Sequence, residues 1–209
     1  LTSNVFSFFK YSDRKTFLLQ LLRKWNLNVS EREAEKAEFT FWPAYDDGTE
    51  PDLLILVGQY YLLIEAKYRS GFGKETEKHQ HQLVREDNQG KTNAEKQGMV
   101  FRYITITADR YKRPEQYGDF PKEFDRFLIW CNWQSITLLI FQQLESTPPL
   151  AGPLRLFAQD FYTLLLRKNL RNYEGLTIFR DTKRIQKVPP VIYFQLNSAK
   201  FRYYFIGYR

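Results

Sequence analysis

The stretch Glu50-Pro51-Asp52-Leu53-Leu54-Ile55-Leu56-Val57-Gly58-Gln59-Tyr60-Tyr61-Leu62-Leu63-Ile64-Glu65-Ala66-Lys67 decides the fold. Two dense runs of β-forming residues, 53–57 and 60–68, are separated by Gly58-Gln59 alone. A glycine at the first position of a two-residue loop fits a type II′ hairpin. That turn sets Val57 opposite Tyr60 and, stepping outward pair by pair, Asp52 opposite Glu65. Directly opposed residues on one face of an antiparallel pair have Cβ atoms roughly 5 Å apart. Lys67, two residues past Glu65, points to the same face because side chains alternate. The hairpin so read brings two carboxylates and an ammonium to one end of a sheet. Its other face, from Leu53, Ile55 and Val57 to Tyr60, Leu62, Ile64 and Ala66, is almost wholly apolar, and the acids share their own face with Leu54, Leu56 and Leu63. Both faces are therefore expected to be covered, as in an internal strand pair.

Two carboxylates this close beside an apolar core repel each other and lose hydration. A divalent cation would relieve both penalties, and two hard oxygen ligands completed by waters suit Mg²⁺ or Mn²⁺. A lysine beside such an ion can orient or help deprotonate a water, or balance charge building on a phosphorus centre. The plain alternative is that Asp52 occupies a turn and Glu65 and Lys67 form an ordinary strand-end ion pair. Pro-Asp alone and Glu-x-Lys alone are weak signals; their combination, each beside an apolar strand, is much rarer.

With Pro51-Asp52 and Glu65-Ala66-Lys67 so placed, the chain resembles the PD-(D/E)XK nuclease superfamily, also called restriction-endonuclease-like. The agreement covers about residues 12–140 and includes the order of elements: a helix, the acid-bearing hairpin, a second helix, then a further strand. The resemblance implies an α/β fold with a mixed central sheet flanked by helices. It implies Asp52 and Glu65 as metal ligands, the Ala66 carbonyl as an extra ligand, and Lys67 assisting the attacking water. Members also carry a polar residue on the helix after the lysine strand. Gln82 is the best match, a solvated helix face being the other reading of it. A further acid often comes from the first helix. Asp13 is nearest, Glu33 and Glu38 are rivals, and no spacing selects among them.

Outward from the hairpin, the remaining segments are read more coarsely. Helical spacing of Phe17, Leu18, Leu21, Leu22 and Trp25 predicts a helix over 12–25 with Ser12 as N-cap. Residues 30–38 are charged and read either as helix or as a solvated link. A short strand is expected at 39–42, a polar helix over 74–97 interrupted at Gly90, strands at 101–107 and 127–133, and a helix from a Ser135 cap to about 143. The prolines and glycine of 148–153 mark a break. A nuclease-like core over 1–147 and a basic C-terminal α+β extension over 148–209 are expected, the latter with a helix over 154–170 and a hairpin of 191–196 and 201–208. His79 and His81 read as surface side chains and Cys131 as a buried core thiol. The run from Arg69 to Lys74, with Gly71 and Gly73, reads equally as a place where a phosphate backbone can approach and as a mobile loop.

The 209 residues suffice for a core without disulfides. A lone cysteine excludes an intrachain disulfide framework and points to the cytoplasm. With two histidines it leaves too few ligands for a Cys/His zinc site. No apolar run spans a bilayer, the best being 136–141, so no membrane partner is expected. The chain starts Leu1-Thr2-Ser3-Asn4, without Met or a leader pattern, as a trimmed piece of a longer protein would. Net charge is +7, and its placement is uneven: residues 1–100 hold 14 basic and 15 acidic side chains, residues 167–209 hold 10 and 2. Such a basic end suits a polyanion, although on charge alone a solvated face over an aromatic core is the default reading. Together these readings point to a Mg²⁺- or Mn²⁺-dependent nuclease acting on nucleic acid, DNA ahead of RNA, with a homodimer as one arrangement. The rival is a non-catalytic nucleic-acid-binding module within a larger defence or repair assembly. The basic 167–209 surface is expected on the same side as Asp52 and Glu65.

Overall fold

A computed structural model of the chain describes residues 1–45, 48–68, 70–72, 81–117 and 127–171. In chain order these form α1 (Thr2–Tyr11), α2 (Leu18–Lys24), α3 (Glu31–Glu35), β1 (Glu38–Phe41), β2 (Leu53–Val57), β3 (Tyr60–Ala66), α4 (Gln82–Lys96), β4 (Val100–Thr107), a 3₁₀ turn (Pro114–Tyr117), β5 (Leu128–Asn132), α5 (Trp133–Leu144) and α6 (Gly152–Arg167). The five strands lie side by side in sequence order. β1–β2 and β2–β3 are antiparallel, whereas β3–β4 and β4–β5 are parallel. The result is a mixed α/β sheet. The described residues all fall in one compact unit. The expected 191–208 hairpin, and the placement of the basic 167–209 surface as a whole, lie outside the described residues. Among the described residues no helix is long and apolar enough to cross a membrane.

The hairpin has the register expected of its turn. Gly58 adopts φ +53°, a conformation open to glycine and costly for a residue with a Cβ. Val57 faces Tyr60, and the pairing runs outward to Leu53 opposite Ile64. Every residue of β3 is buried. Leu53, Ile55, Val57, Leu62, Ile64 and Ala66 pack with side chains of α1, α2, α5 and α6, while Leu54, Tyr61 and Leu63 pack with Leu83, Val84 and Ala94 of α4. Both sheet faces are covered, as expected of buried parallel strands.

Three helix limits differ from the sequence reading. The single helix expected over 12–25 is instead α1, a break, and α2. Ser12 ends α1, its N–H donating to the Phe8 carbonyl. The Asp13 carboxylate accepts from Lys15 N, Thr16 N and Thr16 Oγ1 at 3.0, 3.3 and 2.8 Å, offering the backbone a turn in place of a helix. α1 itself, rich in phenylalanine, has weak intrinsic helix propensity. It is held by burial of Val5, Phe6, Phe8 and Phe9 and by Phe8 stacked on Phe161 of α6 at 4.2 Å. α5 begins at Trp133 because Asn132, not Ser135, is its N-cap, with Asn132 Oδ1 accepting from Ser135 N at 2.9 Å. α6 spans Gly152–Arg167, with Pro153 in its first turn. The expected stretch over 30–38 resolves into α3, opened by a Ser30–Glu33 capping box.

α4 runs through Gly90 without interruption. A Cβ there would meet the Phe101 ring, with Cζ at 2.9 Å, and Leu63 Cδ2 at 3.0 Å. The glycine is a contact surface that lets α4 lie close on the sheet. Gly90→Ala should therefore lower stability by about 1–2 kcal/mol, although alanine is the better helix former by about 1 kcal/mol. Gly90→Ala combined with Phe101→Leu should recover most of the loss. Urea unfolding of the three proteins checks this, and a Gly90→Ala protein as stable as the parent would overturn it.

Candidate functional site

The sheet splits at Asp52. β2 begins at Leu53, while β3 continues beside β4 as far as Lys67, whose N–H donates to the Ile106 carbonyl at 2.7 Å. At this fork the side chain of Asp52 replaces a ladder acceptor, its Oδ2 accepting from Ala66 N at 2.9 Å. Glu65 Oε2 in turn accepts from Asp52 N at 3.3 Å. The two acids thus grip each other's strands. Thr2 Oγ1 of α1 adds a donor to Asp52 Oδ2 at 3.4 Å.

Glu65 is 2% exposed. Its Oε1 meets Lys67 Nζ at 2.5 Å and accepts from Gln82 Nε2 at 2.8 Å. The Lys67 ammonium also lies over the Phe72 ring, 5.9 Å from its centroid. The Lys67 carbonyl accepts from Trp133 Nε1 at 3.0 Å, so the first residue of α5 helps to set the strand end that carries the ammonium. The structure therefore brings Asp52, Glu65, Ala66, Lys67 and Gln82 together.

It does not bring Asp13, Glu33 or Glu38 to the same place. Asp13 is exposed and holds its own turn. Glu33 completes the α3 cap and lies against Gly58. Gly58 is six positions along the strand from Asp52, about 20 Å. Glu38 pairs with Leu56, also toward that far end, and is exposed. Of the two histidines, His79 lies outside the described residues. His81 is not a surface side chain: it is 5% exposed and caps α4, its Nδ1 accepting from Leu83 N at 3.3 Å. Cys131 is buried, and burial pushes its thiol pKa up. Of the 69–74 run, Ser70, Gly71 and Phe72 are described, and Phe72 is buried against Tyr117 at 5.2 Å.

The acid that does join the network is one the sequence reading passed over. Gln82 Nε2 also donates to Glu86 Oε1 at 2.8 Å, and Glu86 Oε2 accepts from Tyr103 of β4 at 2.5 Å. Gln82 and Glu86 are four apart on one helix, hence on one face. That spacing was the available signal. Nothing in it says which helix face meets the sheet, and Tyr103 is found only through the β3–β4 pairing. A chain of hydrogen bonds runs from Tyr103 through Glu86 and Gln82 to Glu65, and by ion pair to Lys67.

The electrostatics follow from burial. Loss of hydration raises Glu65, the Asp52 charge raises it further, and Lys67 pulls it back. Glu86 is pushed up to about 7, by burial first and the Glu65 charge second, against the hydrogen bonds from Tyr103 and Gln82. Tyr103, fully enclosed, is raised by burial and then by Glu86.

No family model matches the chain, and no curated protein matches it. Among solved structures, a similar chain is the small subunit of the heterodimeric restriction endonuclease R.BspD6I, at 14% identity, covering 72% of this chain and 88% of that one, with a TM-score of 0.29.

Glu86 titrates near 7 when folded and near its ordinary 4.5 when unfolded. Between those values the folded state holds a proton that the unfolded state has released. Stability should therefore fall as pH rises from about 4.5 to 7 and level off above, by an amount of order 1–3 kcal/mol. Glu86→Gln removes that titration and should flatten the profile. Denaturant midpoints from pH 5 to 8 measure this; a Glu86→Gln protein that keeps the full slope of the parent would sink the assignment.

Proposed function

We propose that the chain is a metal-dependent nuclease with a PD-(D/E)XK-type site, cleaving phosphodiester bonds of nucleic acid, DNA ahead of RNA. The observation that carries this reading is the fork: two acidic side chains from opposed strands, a lysine two residues on and an amide from the following helix, all within hydrogen-bonding reach at one end of the sheet.

The donors fit a hard cation. Asp52 and Glu65 offer carboxylate oxygens and Ala66 a backbone carbonyl, which suits Mg²⁺ or Mn²⁺ with waters completing the shell. Among the described residues no group of three or more His, Cys, Asp or Glu side chains is arranged to hold an ion without such help. The upward push of Asp52 on Glu65 is the strain a cation would relieve. When bound, such an ion supplies charge neutralisation for phosphoryl oxygens and acidifies a coordinated water.

The chain's own residues divide the remaining tasks. Lys67, 19% exposed at its side chain, keeps its ammonium within reach of an attacking water or of charge developing at phosphorus. Gln82 holds Glu65 from the helix side, and Glu86 and Tyr103 hold Gln82. Asp52 fixes the Ala66 backbone, which keeps the carbonyl donor and the two carboxylates in one frame. The alternative, a nucleic-acid-binding module with this fold and no hydrolysis, is supported by Asp13, Glu33 and Glu38 all lying elsewhere.

With Mg²⁺, the protein should cleave at least one of single-stranded, double-stranded or branched DNA, or RNA. Asp52→Asn and Lys67→Ala should each lower kcat by about 10²-fold or more, with cleavage abolished by chelator. Cleavage that survives both substitutions overturns the assignment. Salt-sensitive binding without cleavage in either Mg²⁺ or Mn²⁺ supports the binding-module reading instead.

A further inference from the structure

Beside Lys67, on the side of the sheet end where β4 gives way to the loop after Thr107, lies a cavity of about 280 Å³ lined by Lys67, Ser70, Gly71, Asp109, Arg113 and Gln116, among others. Its one acid is already matched. Asp109 Oδ1 pairs with Arg113 Nε at 3.0 Å, and its Oδ2 accepts from Gln116 Nε2 at 3.0 Å. That ion pair sets the Arg113 guanidinium at the wall of the cavity. The Arg113 side chain is 42% exposed, so an anion can approach it from solvent. The guanidinium also lies 5.5 Å from the ring centroid of Tyr111, a residue 64% exposed. An exposed ring braced on one face by an arginine is a platform on which an unpaired base can stack.

We propose that this cleft is a nucleotide subsite. Arg113 receives the backbone phosphate next to the one presented to Asp52, Glu65 and Lys67, and Tyr111 receives an unpaired base. The proposal rests on the nucleic-acid reading given above and deepens it, naming a single-stranded nucleotide at that position. The cavity lies just below the size range of ordinary small-molecule pockets, which suits one phosphate with its sugar and not a duplex. Arg113 and Tyr111 bind the strand beside the reacting phosphate and take no part in the chemistry at Asp52, Glu65 and Lys67.

The test uses the full chain and a fluorescein-labelled twelve-residue oligo-dT, with a duplex of equal length for comparison, by anisotropy in EDTA so that nothing is cleaved. Arg113→Ala should weaken single-strand binding about tenfold and reduce the slope of log affinity against log salt by about 0.7. Arg113→Lys should recover part of the affinity. Tyr111→Ala should cost about fivefold or more on the single strand, with little change on the duplex, and Tyr111→Phe should behave as the parent. In Mg²⁺, Arg113→Ala should raise KM and leave kcat near the parent value. Absence of oligonucleotide binding by the parent, affinity and salt slope unchanged in Arg113→Ala, or equal losses on duplex and single strand in Tyr111→Ala would each overturn the subsite. The two readings fail separately. Cleavage lost in Asp52→Asn alongside an Arg113→Ala KM equal to the parent's removes the subsite alone. Arg113-dependent binding with no cleavage removes the hydrolysis alone.

Discussion

The register of β2 against β3 is the constraint on which the rest depends. A two-residue turn at Gly58-Gln59 permits one in-register pairing, and a slip by one residue would send every side chain of the hairpin to the other face. Asp52 would then leave Glu65, and Leu53 would leave the α1–α2–α5–α6 core for the α4 side. The same alternation thus sorts the apolar residues into two packed layers and places the acids. Packing and site geometry are one decision, so selection for either preserves both.

Charge in the network is held in a tight balance. Glu65 and Glu86 are both nearly enclosed, and Lys67 and the donors Gln82 and Tyr103 compensate them. A buried acid pair of this kind holds a proton more readily than its members would in water. Burial pushes Glu86 up to about 7, and Gln82 bridges the two acids through one nitrogen, joining the helix to the strand. That bridge makes α4 part of the site and not merely its cover.

What could be read from the chain, and what could not, divides by range. The hairpin, its two apolar faces and the meeting of Asp52, Glu65 and Lys67 follow from alternation and a two-residue turn, both local rules. Gln82 could be singled out but not its orientation. Glu86 escaped because a carboxylate on a polar helix looks solvated until the crossover from β3 to β4 fixes which side of α4 faces the sheet. Gly90 looked like a break because its effect on α4 is set by Phe101, a residue of the next strand. Phenylalanine-rich α1 is a helix through tertiary packing, against its propensity. Ser12, Ser135 and His81 were misplaced for a smaller reason: several polar side chains near each helix end could serve as caps, and neighbours decided which one does.

Chain separation grades the parts of the site. Asp52 and Glu65 meet across 13 positions, whereas the Trp133 indole reaches the Lys67 carbonyl across 66. Closing the longer loop costs about 1.4 kcal/mol more in chain entropy, and it needs the whole parallel half of the sheet in place first. The acids are thus assembled by local closure, while the strand end bearing the ammonium is fastened by a hydrogen bond of much longer range. The Lys67 backbone is thus held on one side by its neighbouring strand, through the Ile106 carbonyl, and on the other by α5, through Trp133, so the placement of the ammonium draws on more of the fold than the acid pair does.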